Sequence, residues 1–181
     1  MSIQFGFYMN MENCYGCKTC EVACKSEKKL PKGVQWRKVR FFQTETPPSL
    51  SSLTMACNHC ENPVCAKVCP VNAYSKRSDG IVVQNHEACI GCKACIEACP
   101  YQAPIFDDEE GKVSKCDYCA DRIDLGGQPR CSEACPMDCL LAGDLTQLRA
   151  RYGSIRAVKD TPTPDLTGPA IVINPTKATK V

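Results

Sequence analysis

Apolar positions along this chain come in short bursts separated by polar turns, and no burst is long enough for a large helix or a wide sheet. Five of them predict strands: Phe5 to Met9, Arg37 to Phe42, Leu53 to Ala56, Ile81 to Val83 and Ala103 to Phe106. Ser78-Asp79-Gly80 predicts a turn into the fourth. Thr44 to Ser52, rich in Pro and Ser, predicts a connecting loop, and Asp107 to Lys112 a solvated acidic hairpin tip. Only Asp144 to Gly153 reads as a longer helix, with Asp144 as N-cap and Gly153 as stop. The tail from Lys159 to Val181 holds Pro162, Pro164, Pro169 and Pro175 around one apolar run, Ala170 to Ile173. Alone it cannot form a core, so it is expected to stay mobile or to lie along another chain.

Composition changes this picture through one residue type. Of 181 residues, 17 are cysteine, and without them the 44 % hydrophobic fraction falls to about a third of the chain. That is thin for a conventional core, so cysteine chemistry is expected to decide the architecture. No run of 18 apolar residues predicts a membrane span. No basic region, long apolar run or twin arginine marks Met1 to Asn10 as a signal peptide. A formal charge of +2 gives no reason to expect nucleic acid.

Disulfides, structural zinc and iron–sulfur clusters compete for so many cysteines. An odd count without a signal argues against disulfides, and zinc favours separated pairs or Cys/His mixtures. Here the cysteines form quartets: Cys14, Cys17, Cys20, Cys24; Cys57, Cys60, Cys65, Cys69; Cys89, Cys92, Cys95, Cys99; and Cys116, Cys119, Cys131, Cys135. Three end in Cys-Pro, at Pro70, Pro100 and Pro136, whereas Lys25 follows the first. The first and third share the spacing of the bacterial two-cluster ferredoxin run. Three cysteines on a tight loop hold one cubane, and the fourth, one helical turn beyond the third, reaches its neighbour. Sixteen ligands match four [4Fe–4S] clusters.

Only 19 residues separate Cys69 from Cys89, the layout of a compact ferredoxin unit flanked by the other two quartets. The expected fold is therefore α+β: two ferredoxin-like units, residues 53–105 inserted within 1–52 plus 106–145, followed by a helix and partner-binding arm over 146–181. Crossed ligation then assigns cluster 1 to Cys14, Cys17, Cys20 and Cys135, and cluster 2 to Cys24, Cys116, Cys119 and Cys131. Cluster 3 takes Cys57, Cys60, Cys65 and Cys99, and cluster 4 takes Cys69, Cys89, Cys92 and Cys95. Pairing the first quartet with the second and the third with the fourth is the alternative. Four oxidised cubanes would bring the net charge to about −6. Lys18, Lys67, Lys93, Lys115 and Arg122 could offset it, although a solvated surface accounts for most of them. Cys139 is left over and reads as a small buried hydrophobe. His59 reads as packed or backbone-bonded rather than tuning a cluster, His86 as an exposed turn residue and Trp36 as ordinary packing. No set of residues for acid–base or nucleophilic catalysis stands out.

Tyr15 to Cys24, Cys57 to Pro70, Cys89 to Tyr101, Lys115 to Cys119 and Ala170 to Pro175 together resemble the four-cluster iron–sulfur subunit of the dimethyl sulfoxide reductase family. The resemblance covers nearly the whole chain and itself implies the nested pairing. It also implies a non-catalytic electron-transfer role beside a molybdenum or tungsten pterin subunit, commonly with a quinone-reactive membrane anchor in anaerobic respiration. Such a subunit sits at the cytoplasmic face or is exported with a twin-arginine partner. A free-standing polyferredoxin, or a subunit of a hydrogenase or of a cytochrome nitrite reductase pathway, is the alternative.

Overall fold

The computed structural model describes residues 3–45 and 48–181. A three-stranded sheet gathers both ends of the chain. Its central strand β1 (Phe5–Asn10) pairs antiparallel with β8 (Leu140–Asp144) and parallel with β9 (Ile171–Asn174). Alternation along β1 gives the sheet two functional faces. Phe7 and Met9, with Ile171 and Ile173 of β9, turn toward the cysteines. Tyr8, Ala170 and Val172 turn the other way, against α6 (Leu145–Tyr152), where Tyr8 stacks on Tyr152 at 3.9 Å between centroids. As expected, the Asp144 carboxylate caps α6, accepting from the Thr146 and Gln147 amides, and Gly153 ends it at φ 89°.

The tail departs from expectation. Instead of trailing free or lying on another chain, Ala170 to Ile173 is almost fully buried as β9 in the protein's own sheet. A run too short to make a core still completes one whose other strands come from elsewhere.

Three hairpins carry the remaining strands: β2 (Lys38–Glu45) with β3 (Pro48–Met55), β4 (Tyr74–Lys76) with β5 (Val82–Gln84), and β6 (Ile105–Asp107) with β7 (Lys112–Ser114). The segment expected as a loop over Thr44 to Ser52 is therefore mostly strand; Thr46 and Pro47 lie outside the described residues. Leu53 to Met55, within the segment expected as the first strand of the inner unit, pairs with β2, and Ile105 to Asp107, overlapping its expected last strand, pairs with β7. The positions 52/53 and 105/106 fall inside β3 and β6. At the β6–β7 tip, Asp107 is buried and accepts from the Glu109 and Glu110 amides, while residues 108–110 are exposed.

The remaining helices are short and each follows a cysteine loop. They are α1 (Thr19–Glu27), α2 (Val64–Lys67), α3 (Ala94–Ala98), α4 (Ala120–Asp124) and α5 (Arg130–Glu133). Proline decides the length of most of them. After Cys69, Cys99 and Cys135 the chain makes a Cys-Pro-x-x turn, closed by Asn72, Gln102 and Asp138 amides on the cysteine carbonyls and leaving those three residues at positive φ. Lys25 lets α1 continue, and its ammonium holds the following loop through the Pro31 and Val34 carbonyls at 2.7 and 3.1 Å. Lys28, beyond α1, then reaches Asp117 at 2.9 Å and Asp121 at 2.5 Å, and Arg122 reaches Glu27 at 3.5 Å, tying the first cysteine segment to the fourth. No helix among the described residues is long and apolar enough to cross a membrane.

Candidate iron–sulfur centres

Each quartet opens with the same backbone device. The residue before the second cysteine has a left-handed backbone in all four: Gly16 at φ 70°, His59 at 43°, Gly91 at 70° and Tyr118 at 62°. Lys18 and Lys93, after that cysteine in the two ferredoxin-spaced quartets, repeat the conformation at 62° and 63°. Such loops turn successive amides toward a concavity suited to an anion. For residues with a side chain the conformation costs roughly 1–2 kcal/mol each. Two large side chains hold it through their surroundings. The Tyr118 hydroxyl donates to the Gly6 carbonyl at 2.6 Å and accepts from the Gly143 amide at 3.1 Å, and its ring packs on Phe7 at 4.6 Å. His59 Nδ1 accepts from the Val82 amide at 3.0 Å, and its ring meets Tyr118 edge-on at 5.4 Å.

The fold brings the cysteines together in a definite sorting. Cys57, Cys60 and Cys65 line one cavity with Cys99, beside Pro63, Pro100, Tyr101 and Lys115. Cys69 and Cys89 pack against Cys95 in a cluster that also holds Cys65, and Cys89 and Cys92 lie near Cys95. Cys24 lies near Cys131 and Cys119, and Cys116 near Cys24 and Cys57. Cys20 lies near both Cys131 and Cys14, and Cys135 Sγ is 3.4 Å from Cys139 Sγ, which is also hydrogen-bonded to Cys14. Cys17 and Cys92 are exposed. Cys139 is buried, as expected, but among these thiols rather than in plain apolar packing.

Burial sets the thiol chemistry. It pushes Cys24, Cys60 and Cys65 up to about 12 and Cys119 up to about 11, and it raises Cys20, Cys95, Cys99 and Cys116 as well. Cys14 is held below the ordinary thiol value by its hydrogen bond with Cys139. Iron needs thiolates, so loading such a site releases protons. Among the described residues no three His, Cys, Asp or Glu side chains converge on a single ion.

Around these centres the structure places several residues named from the sequence, and two that were passed over, Arg37 and Glu21. Lys115 is buried rather than solvated, lies on the Cys57–Cys99 cavity and donates to the Val82 and Cys116 carbonyls. Arg122 is occupied by Glu27 and Glu133. Trp36 packs beside Cys57, Cys99 and Cys116, with its indole N–H on Ser114 Oγ at 3.0 Å. His86 is partly exposed, 3.3 Å from Glu110. Arg37 is almost wholly buried under the first and fourth quartets, stacked on Phe7 at 4.6 Å. Glu21, next to Cys20, is also buried and accepts from the Val39 amide and from Gln35 at 2.8 Å, which fastens α1 to β2. Nothing in the pattern around Arg37 marks it, since Lys38 and Arg40 beside it are exposed. Aligning the four loops on their second cysteine would have exposed the shared role of His59 and Tyr118.

Comparison with known proteins agrees with this chemistry. Residues 49–145 match the family model described as a 4Fe-4S dicluster domain. The chain is 41 % identical to the B subunit of anaerobic dimethyl sulfoxide reductase from Escherichia coli, over 97 % of this chain and 90 % of that one. It is 39 % identical to the subunit of the same name from Haemophilus influenzae, over 96 % of this chain and 90 % of the relative. The B subunit of polysulfide reductase from Wolinella succinogenes is 35 % identical, over 98 % of this chain and 97 % of its own. The protein binds [4Fe–4S] clusters, and it belongs to the 4Fe-4S dicluster family and, within it, to the B subunits of dimethyl sulfoxide reductase and its relatives.

Proposed function

We propose that this chain carries four [4Fe–4S] clusters and relays electrons between a quinone-linked membrane anchor and a molybdopterin catalytic subunit, without catalysing a reaction itself. The sorting of the cysteines carries the reading: Cys57, Cys60 and Cys65 share their cavity with Cys99 and not with Cys69. Cys24 lies among the fourth quartet. Both favour ligation crossed between the second and third quartets and between the first and fourth. In this reading the ligand sets are Cys14, Cys17, Cys20 and Cys135; Cys24, Cys116, Cys119 and Cys131; Cys57, Cys60, Cys65 and Cys99; and Cys69, Cys89, Cys92 and Cys95. One ferredoxin-like unit, 53–105, is inserted within another, 1–52 plus 106–145. The relatives' names, as B subunits of dimethyl sulfoxide and polysulfide reductases, support a catalytic companion and a membrane-associated respiratory assembly.

When bound, each cubane supplies a one-electron couple whose potential is set by charge, hydrogen bonding and solvent exposure. The chain's own part is to present thiolates, to line the sites with apolar side chains that exclude water, and to fix their spacing through short helices. Burial of Cys20, Cys24, Cys65, Cys95, Cys116, Cys119 and Cys131 serves the second of these.

Elemental analysis of the complex isolated anaerobically from its native source should find about 16 Fe per chain, with molybdenum or tungsten. Nickel instead would place it beside a hydrogenase, and iron alone would favour a free carrier or the nitrite reductase pathway. Replacing Cys14 or Cys135 with Ser should remove the same electron paramagnetic resonance component; loss of different components overturns the nested ligation.

A further inference from the structure

A buried cation without a buried anion is a rare thing in a folded protein, because removing a charge from water is costly unless a partner replaces the solvent. Arg37 is such a cation. It is 1 % exposed, and among the described residues no carboxylate stands at ion-pair distance from it. Its guanidinium lies over the Phe7 ring, which contributes a cation–π contact but no counter-charge. Of its polar atoms only Nη1 has a partner, Thr54 Oγ1 at 3.4 Å, while Nε and Nη2 are buried with none. The Thr54 contact leads somewhere: Oγ1 is 3.2 Å from Cys20 Sγ. A hydroxyl that accepts from the guanidinium has its own hydrogen free for the sulfur, so Arg37, Thr54 and the Cys20 thiolate form a donor chain. Phe7, over which the guanidinium lies, packs in one buried cluster with Cys20, Cys24 and Cys131, which belong to the first and fourth quartets.

Resting on the ligation proposed above, we infer that Arg37 is a positioning residue for the two outer clusters. It supplies the counter-charge for the clusters held by Cys14, Cys17, Cys20 and Cys135 and by Cys24, Cys116, Cys119 and Cys131. It acts on the first through Thr54 and Cys20, and its unpartnered Nε–H and Nη2–H groups serve cluster sulfur. Positive charge and donated hydrogen bonds favour the reduced, more negative state, so Arg37 raises the potentials of the outer pair. The inner pair has its own buried cation, Lys115, whose hydrogen bonds go to the Val82 and Cys116 carbonyls instead. The asymmetry gives the relay a built-in difference between its outer and inner halves.

The test is a redox titration of the complete complex, followed by electron paramagnetic resonance, in wild type, Arg37→Gln and Arg37→Lys. Cys14→Ser and Cys69→Ser variants first assign which signals belong to outer and inner clusters; if that assignment fails, the ligation is wrong independently of Arg37. With Arg37→Gln the two outer potentials should fall while the two inner ones stay put, and Arg37→Lys should recover part of the fall. Unchanged potentials, or an equal fall in all four, overturn the inference. Should Arg37→Gln lose iron, the wild-type complex grown with arginine labelled with nitrogen-15 in the guanidinium decides the matter. A nitrogen coupling on an outer-cluster signal in pulsed resonance, absent from Arg37→Lys, is the expected result; its absence from the wild type overturns the inference.

Discussion

A glycine ahead of the second cysteine does two separable jobs, and two substitutions can divide them. Gly91 has φ 70°, and a Cβ there would run into the Gly111 carbonyl oxygen. Gly126 has φ 77° with nothing within 4 Å of the same position. Gly126→Ala therefore meets only backbone strain, about 1 kcal/mol, which for a chain of this length lowers the apparent Tm by about 2–4 °C. Gly91→Ala adds a clash with backbone that cannot rotate away, so its fall in Tm should be at least twice as large and accompanied by iron loss. Equal shifts would show that the close approach to Gly111 does not matter. At this scale the cysteines were legible because cluster ligation needs fixed spacings that chance does not repeat. Arg37 was not, since a buried cation at the entry to β2 reads like its exposed neighbours until the chain is folded around it.

Helix length in this protein is decided one residue after each fourth cysteine. Proline there ends α2, α3 and α5 within four or five residues, and Lys25 carries α1 to nine. Lys25→Pro removes an amide donor and places the ring against the preceding turn, at a cost of about 3 kcal/mol. The expected outcome is an α1 of its counterparts' length, with loss of helical circular dichroism and of the Lys28 ion pairs to Asp117 and Asp121. Full retention of the circular dichroism would mean that the length of α1 is set elsewhere. α6 was legible from its cap and stop because both are local chemistry. The β2–β3 hairpin was not. Ser51 and Ser52 look like loop residues, yet both are buried, and Ser51 Oγ is 2.8 Å from Thr176 Oγ1. Their strand is held by pairing with β2 and by contact with the tail, neither of which local composition encodes.

Across the whole molecule the same difficulty decided the reading of the tail. Ala170 to Ile173 is too short to predict anything alone, and its partner strand lies more than 160 positions earlier, Phe7 facing Ile171. Burying Ile171, Val172 and Ile173 contributes on the order of 5–9 kcal/mol, comparable with the total stability of a domain. Deleting residues 170–181 should therefore lower the iron content and open the outer half to protease, not merely weaken docking to a companion subunit. Full iron content in the truncated protein would return the tail to the partner. The architecture also has a history written into it. β1 and the first cysteine quartet leave the ribosome well before β8 and β9, between which β1 must lie. At about 5–20 residues per second, the first strand waits on the order of ten to thirty seconds for its neighbours. Under the ligation proposed above, Cys14, Cys17, Cys20 and Cys24 would through that interval have no Cys131 or Cys135 to meet, whereas the residues for the inner pair would be complete once Cys99 has emerged. A molecule so ligated would be built from the middle outward, its first quartet the last to be sheltered from oxygen.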